Sequence, residues 1–281
     1  MASAFSGRTL LIATKHGKES VIAPALEAAL GVRCIVANDF DTDRLGTFTG
    51  EVEREDDAPC TVRKKCLLAM QQHGCDLAVA SEGAFGPHPS AFFLPADDEL
   101  LICIDHHLGI EIIARELSTD TNFAAQEIHH LKDLTDFAIH TGFPEHGLIL
   151  RAHKTDIEHL IKGIQDMAQL QALGEQLLNK HGRAYVETDM RAMMNPTRMR
   201  VIEKAAHQLA GKMLSSCPQC STPGYSITEV VGGLPCSWCG TPTKSISAYI
   251  YQCRYCSHSE KLVPAGHRTC EDPMYCDVCN P

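Results

Sequence analysis

Four Cys-x-x-Cys pairs crowd the C-terminal part of this chain: Cys217/Cys220, Cys236/Cys239, Cys253/Cys256 and Cys276/Cys279. A two-residue spacer held in a tight turn brings both sulfurs to one side of the backbone, where they can share a tetrahedral Zn²⁺ at about 2.3 Å per Zn–S bond. Eight thiols supply two complete Cys₄ sites, so two structural Zn²⁺ ions are expected. Short β-like runs, residues 225–231 and 247–251, alternate with the pairs, and Pro218, Pro235 and Gly240 sit at the knuckles. This pattern predicts a double zinc-ribbon-like module over residues 213–281. A segment of that size cannot build an adequate core, and metal binding supplies its folding energy.

Redox context favours metal over disulfides. The apolar run at residues 10–13 is too short for a signal-peptide core, and no stretch approaches the roughly 18 apolar residues of a membrane span. A cytoplasmic location is therefore expected, with no membrane partner. There, paired cysteines bind metal more often than they form bridges. Two pairings of knuckles use the same eight residues. Sequential pairing closes the shorter loops and is preferred on loop entropy, whereas a cross-braced arrangement joins first with third and second with fourth. Cys270, His258 and His267 are alternative ligands for the last site.

Composition bounds the partners. The 281 residues carry a formal net charge of −10. Residues 217–281 hold four Lys/Arg against five Asp/Glu, leaving the acid excess N-terminal to them. Nucleic-acid binding needs a basic stripe to neutralise phosphates, so it is disfavoured. A protein partner docking on the zinc module remains an expectation.

Residues 1–212 read as an α/β domain of three-layer type with a mixed sheet, because strand-like and helix-like segments alternate. Strands are predicted at residues 9–14, 33–36, 76–81, 100–104, 110–114, 147–151 and 183–188. Helices are predicted at 19–30, 61–72, 122–140 and 156–180, with a last one starting near Pro196. Residues 39–57 form an acidic loop or hairpin, and residues 82–89 read as a Gly/Pro-rich turn.

Polar clusters follow three of these strands: Thr14-Lys15-His16-Gly17-Lys18, the segment from Glu82 to Pro89, and Glu187 to Arg191 with Asn195 and Arg198. Ligands bind beyond the carboxyl ends of strands in open α/β sheets, and helix N-termini there favour anions. Lys15, Lys18, Arg191 and Arg198 offer positive charge to a phosphate. Glu51, Glu82 and Asp189 offer hard oxygens to Mg²⁺. Each cluster also has a structural reading: Asp189 and Arg191 can pair with each other, and the acidic run can be a solvated loop.

The motifs Ala13-Thr-Lys-His-Gly-Lys-Glu19, Leu45-Gly-Thr-Phe-Thr-Gly-Glu51, Ser81-Glu-Gly-Ala-Phe-Gly-Pro-His-Pro89, Glu187-Thr-Asp-Met-Arg-Ala192 and the Cys-rich tail resemble a bacterial family known as a domain of unknown function, number 6671. That resemblance implies no activity. The order of N-terminal elements is also similar to the inosine-triphosphatase-like nucleoside triphosphate pyrophosphatases. Thr14-Lys-His-Gly-Lys18 stands where that group has a Thr-x-Asn-x-x-Lys phosphate loop, one residue shorter and with His16 at the Asn position. Glu82-Gly83 stands at its metal-binding carboxylate, and Asn195-Pro-Thr-Arg198 at its closing Ser-His-Arg motif. The resemblance implies a Mg²⁺-dependent hydrolase of phosphate-containing small molecules. Lys18, Arg191 and Arg198 would then stabilise phosphate charge, Thr14 and Lys15 would cradle it, Glu51, Glu82 and Asp189 would hold the ion, and Glu82 or His88 would act as base. The alternative is a non-enzymatic ligand- or protein-binding module with structural zinc ribbons.

Overall fold

The computed structural model describes residues 3–37, 56–263, 266 and 268–281, and the chain divides into two compact units, Met1–Ala210 and Gly211–Pro281. The fold is mixed α/β, followed by a tail in which the paired cysteines gather into two tetrads. Among the described residues, no helix is long and apolar enough to cross a membrane.

The aliphatic run TLLIA forms β1 (Thr9–Ala13), buried from Leu10 onward. After a short polar loop, α1 (Glu19–Leu30) runs back and stops at Gly31, whose left-handed φ of 69° lets its N–H close the helix end. The chain returns as β2 (Arg33–Val36), parallel to β1. Helix α2 (Ala58–His73) starts at Asp57, whose carboxylate accepts from Cys60 N–H at 2.9 Å. It leads to β3 (Leu77–Pro87), which lies parallel to β1 on its other side. Strands β4 (Pro95–Asp105) and β5 (Ile110–Ser118) continue antiparallel, giving the order β2-β1-β3-β4-β5. The first crossover runs from β1 to β2 and the second from β2 back past β1 to β3, so right-handed connections put α1 and α2 on opposite faces. Val62, Cys66, Ala69 and Met70 of α2 bury one face against Leu11, Ala13, Ala78 and Ala80. The carboxyl end of β1 is thus a topological switch point.

A second, four-stranded sheet follows, antiparallel throughout in the order β6-β9-β7-β8. It consists of β6 (Ala125–Ile128), β7 (Leu148–Arg151), β8 (Ile161–Ile164) and β9 (Ala184–Thr188). Helices α3 (Leu131–His140) and α4 (Met167–His181) cover it through Leu134, Phe137, Leu170 and Leu177. Gly174 lets the two helices approach closely, since a Cβ there would lie 2.5 Å from Leu134 Cδ2. Helix α5 (Pro196–Leu214) closes the unit. Its start is set by Asn195, whose side-chain oxygen accepts from Arg198 N–H at 2.9 Å ahead of Pro196.

Several boundaries differ from those read in the sequence. The expected turn at residues 82–89 is strand as far as Pro87, because β3 and β4 pair in unbroken register from Leu77↔Asp105 to Pro87↔Pro95. The expected helices 122–140 and 156–180 each begin with a short strand, β6 and β8. Four-residue strands have too few alternations to register as a period of two. The acidic run 39–57 lies almost wholly outside the described residues.

In the tail, β10 (Ser226–Gly232), β11 (Ile246–Gln252) and β12 (Ser259–Leu262) form an antiparallel sheet.

Candidate metal centres and a buried ion-pair cluster

The four knuckles are near copies of one turn. In each, the residue after the second cysteine donates its N–H to the carbonyl of the first: Ser221 to Cys217, Gly240 to Cys236, Ser257 to Cys253 and Asn280 to Cys276, all at 2.9 Å. Ser221, Gly240 and Ser257 take left-handed φ values of 61°, 71° and 60° to do so. Backbone N–H groups also point at sulfur, Gln219 N at Cys217 Sγ and Trp238 N at Cys236 Sγ, both 3.4 Å. Such donors stabilise thiolate charge.

Cys217, Cys220, Cys253 and Cys256 form one tetrad, and Cys236, Cys239, Cys276 and Cys279 the other. The arrangement is cross-braced, which corrects the sequential pairing expected from loop entropy. The reason lies in the hairpin. Pairing Ser226↔Gln252 at one end of β10 and β11 brings the first and third knuckles together. The second knuckle lies beyond Gly232, at the far end of a seven-residue strand, roughly 20 Å away at about 3.4 Å per residue. There a bridge between Cys236 and Glu271 draws in the fourth knuckle. Strand pairing thus outweighs the modest logarithmic cost of longer loops. Cys270 is exposed and outside both tetrads, His258 pairs with Glu260, and His267 lies outside the described residues.

Sulfur–sulfur separations fit one bound ion per tetrad. Cys217–Cys256 is 3.7 Å, Cys220–Cys253 3.6 Å, Cys236–Cys279 3.9 Å and Cys239–Cys276 3.6 Å. A tetrahedron with bonds of about 2.3 Å has edges of roughly 3.8 Å, nearly twice a disulfide bond. Hydrogen bonding by the Thr222 hydroxyl, 3.3 Å from the sulfur, pulls the Cys220 thiol down to about 6. Thr241 does the same for Cys239, also to about 6. The two tetrads are therefore positioned to hold metal ions.

The body carries a different kind of site. Lys18, at the entrance to α1, is buried beside the switch point, with Nζ 3.2 Å from Ser81 Oγ and 3.7 Å from Glu99 Oε2. Burial lowers its pKa to about 8. Glu82 is buried on the opposite face of β3, where Lys65 of α2 forms an ion pair with it. Arg198 of α5 is fully buried; its Nε donates to Glu99 Oε1 at 2.6 Å, its Nη1 to the Met190 carbonyl, and its guanidinium lies 5.0 Å from the Phe85 ring centre. Gly83 makes room for this pair: a Cβ there would stand 2.5 Å from both Arg198 Nη2 and Glu99 Oε1.

The structure thus gathers Lys18, Glu82 and Arg198 around β3 and β4. Asp189, buried, and Arg191, partly exposed, form a separate knot. Asp189 Oδ1 accepts from Arg191 Nε at 2.9 Å, and its Oδ2 accepts from Arg191 Nη2 at 2.5 Å and from Gly163 N–H at 3.0 Å. Thr14 is buried and contacts the Lys15 carbonyl, while Lys15 is exposed. Glu51 lies outside the described residues. His88 caps the β3–β4 hairpin, its Nδ1 accepting from Ala91 N–H at 3.1 Å. It stands six residues along from Glu82, on the order of 20 Å, and is no partner for it. Sequence reasoning missed Lys65, Asp97 and Glu99. The acids precede the expected strand at residue 100, and their i, i+2 spacing becomes visible only once β4 starts at Pro95.

A family model described as Domain of unknown function (DUF6671) matches residues 65–281. The matched span holds all four knuckles together with Lys65, Glu82, Glu99 and Arg198, and begins after Lys18. No curated protein matches the chain.

Proposed function

We propose that this chain, which belongs to the family described as Domain of unknown function (DUF6671), is a zinc-binding hydrolase of phosphate-containing small molecules that works with Mg²⁺. Nucleoside triphosphates are the leading substrate class, by the likeness of Thr14–Lys18 and Glu82 to the pyrophosphatase motifs. One observation carries the reading: Lys18 meets Ser81 beyond the end of β1, with Glu82 next along β3 on its other face, at the switch point of an open sheet, where such folds bind ligands. Buried charges there cost several kcal/mol each, and perturbed lysines in such positions often belong to functional sites.

Lys18 supplies positive charge toward phosphate oxygens at the N-terminus of α1. Arg198 acts by holding Glu99, which in turn faces Lys18. Arg191 is the partly exposed cation of its knot. For Mg²⁺, Glu82 is the better fit: it is a buried carboxylate with one oxygen in an ion pair with Lys65, which the ion would have to displace. Asp189 fits poorly, because both its oxygens are engaged by Arg191 and Gly163. When bound, Mg²⁺ would polarise a phosphoryl group and acidify water. Zn²⁺ in the tetrads would hold the tail folded.

Release of phosphate or pyrophosphate from a panel of nucleotides and phosphate esters with Mg²⁺ tests the reading. Turnover is expected for at least one class, lost in Lys18→Met and Glu82→Gln variants that keep their circular dichroism. A flat panel overturns it. A second reading, a protein-binding module, draws support from the exposed knuckle aromatics Trp238 and Tyr255, 79% and 70% accessible. It would gain from that same flat panel.

A further inference from the structure

Asp97 is fully buried, and neither of its carboxylate oxygens has a hydrogen-bond partner among the described residues. It lies on β4 between Phe85 of β3 and Ser118 of β5. Glu99 is two residues further on, so strand alternation turns both carboxyls to the same face. Glu99 is buried as well, and its Oε2 also lacks a hydrogen bond, while Oε1 holds Arg198. Three acid oxygens without a hydrogen bond therefore share one water-poor place, and of these only Glu99 Oε2 has a cation near it, Lys18 Nζ at 3.7 Å. Two ionised carboxylates there would repel and leave both Asp97 oxygens unsatisfied. One proton between them makes an O–H···O⁻ bond, among the stronger hydrogen bonds a protein forms.

We propose that Asp97 and Glu99 share a single proton carried by Asp97, and that this acid pair positions Glu99 to hold Lys18 and Arg198. Asp97 is accordingly a positioning residue. The groups facing it are consistent. Arg198 from α5 and Lys18 from the loop before α1 favour the ionised form of Glu99, and Asp98 turns to the other face, where Arg115 pairs with it. Burial first, and then the charge of Glu99, pushes Asp97 up to about 8. Glu99 is held below the ordinary carboxylate range: burial opposes its charge, but Arg198, Lys18 and the bond to Asp97 outweigh burial. The proton belongs to the pair, and the pair titrates as a unit.

The sign of the pH dependence follows. The folded chain keeps a proton that the unfolded chain loses near pH 4. Asp97 thus contributes full stability below about pH 4, and that contribution is lost as pH rises toward about 8.

Infrared spectroscopy of the full chain at neutral pH tests the proton. A carboxylic-acid C=O stretch is expected, absent in Asp97→Asn and shifted in Glu99→Gln. Absence of the band in the wild type overturns the proposal, whether or not the variants fold. Denaturant midpoints from pH 5 to 8 test the positioning. The wild type should fall with pH and Asp97→Asn, which keeps a donor, should run flatter, with Asp97→Ala lower throughout. Parallel slopes for wild type and Asn, or equal losses for Asn and Ala, would also overturn it. Only the link from Glu99 to a phosphate rests on the hydrolase reading. If the infrared band is present while the nucleotide panel is flat, that reading fails and the acid pair stands.

Discussion

The tail and the body both gather charged or charge-capable groups, but they assemble them differently. Each tetrad is two copies of one local turn, and within a knuckle the cysteine spacing sets both sulfurs, with a left-handed residue after them in three of the four. Only the choice of partner knuckle is long-range, and the β10–β11 register makes it. The buried cluster of the body has no repeating local unit. Lys18, Lys65, Ser81, Glu82, Asp97, Glu99 and Arg198 come from the loop before α1, from α2, β3, β4 and α5, and each is set by the packing of its own element. A site built from turns is positioned to be closed by an ion; a site built from packing depends on the sheet beneath it.

That contrast predicts a graded set of responses. The largest belongs to the tail: stripping metal with a chelator should collapse the amide dispersion of residues 216–281 in NMR spectra, because the tetrads supply much of that unit's folding energy. Persistence of those signals without metal would erase the distinction between the regions. In the body, Glu99→Ala leaves Arg198 buried without its carboxylate and should cost about 3–5 kcal/mol in denaturant unfolding. Gly83→Ala forces a methyl group into the Arg198–Glu99 contact and should cost about 1–3 kcal/mol by the same measurement; a neutral result would mean the pair can shift aside. Smallest is Arg115→Ala. Its pair with Asp98 lies at the surface, with the arginine side chain 57% accessible, and should contribute less than about 1 kcal/mol. A loss comparable to Glu99→Ala would contradict the view that burial sets the scale.

How much was legible follows the same division. The eight cysteines, two of the three tail strands and helix α1 could be read directly, since spacing, alternation and a closing glycine act locally. The cross-brace could not, because loop entropy favoured the shorter closures and the hairpin register is a tertiary fact. Lys18, Glu82 and Arg198 stood out as polar residues beside predicted strand ends. Reading residues 82–89 as a turn hid β3's extension, and with it the neighbouring strand on which Asp97 and Glu99 lie. The four-stranded antiparallel sheet was partly missed because β6 and β8 are short and lead straight into helices.

Metal stoichiometry of paired cysteine variants addresses the cross-braced tetrads most directly. Zinc content should be two ions per chain in the wild type, one in Cys217→Ser/Cys253→Ser, and none in Cys217→Ser/Cys236→Ser. One ion retained by the second variant and none by the first would place the sulfurs in sequential ribbons and contradict the account.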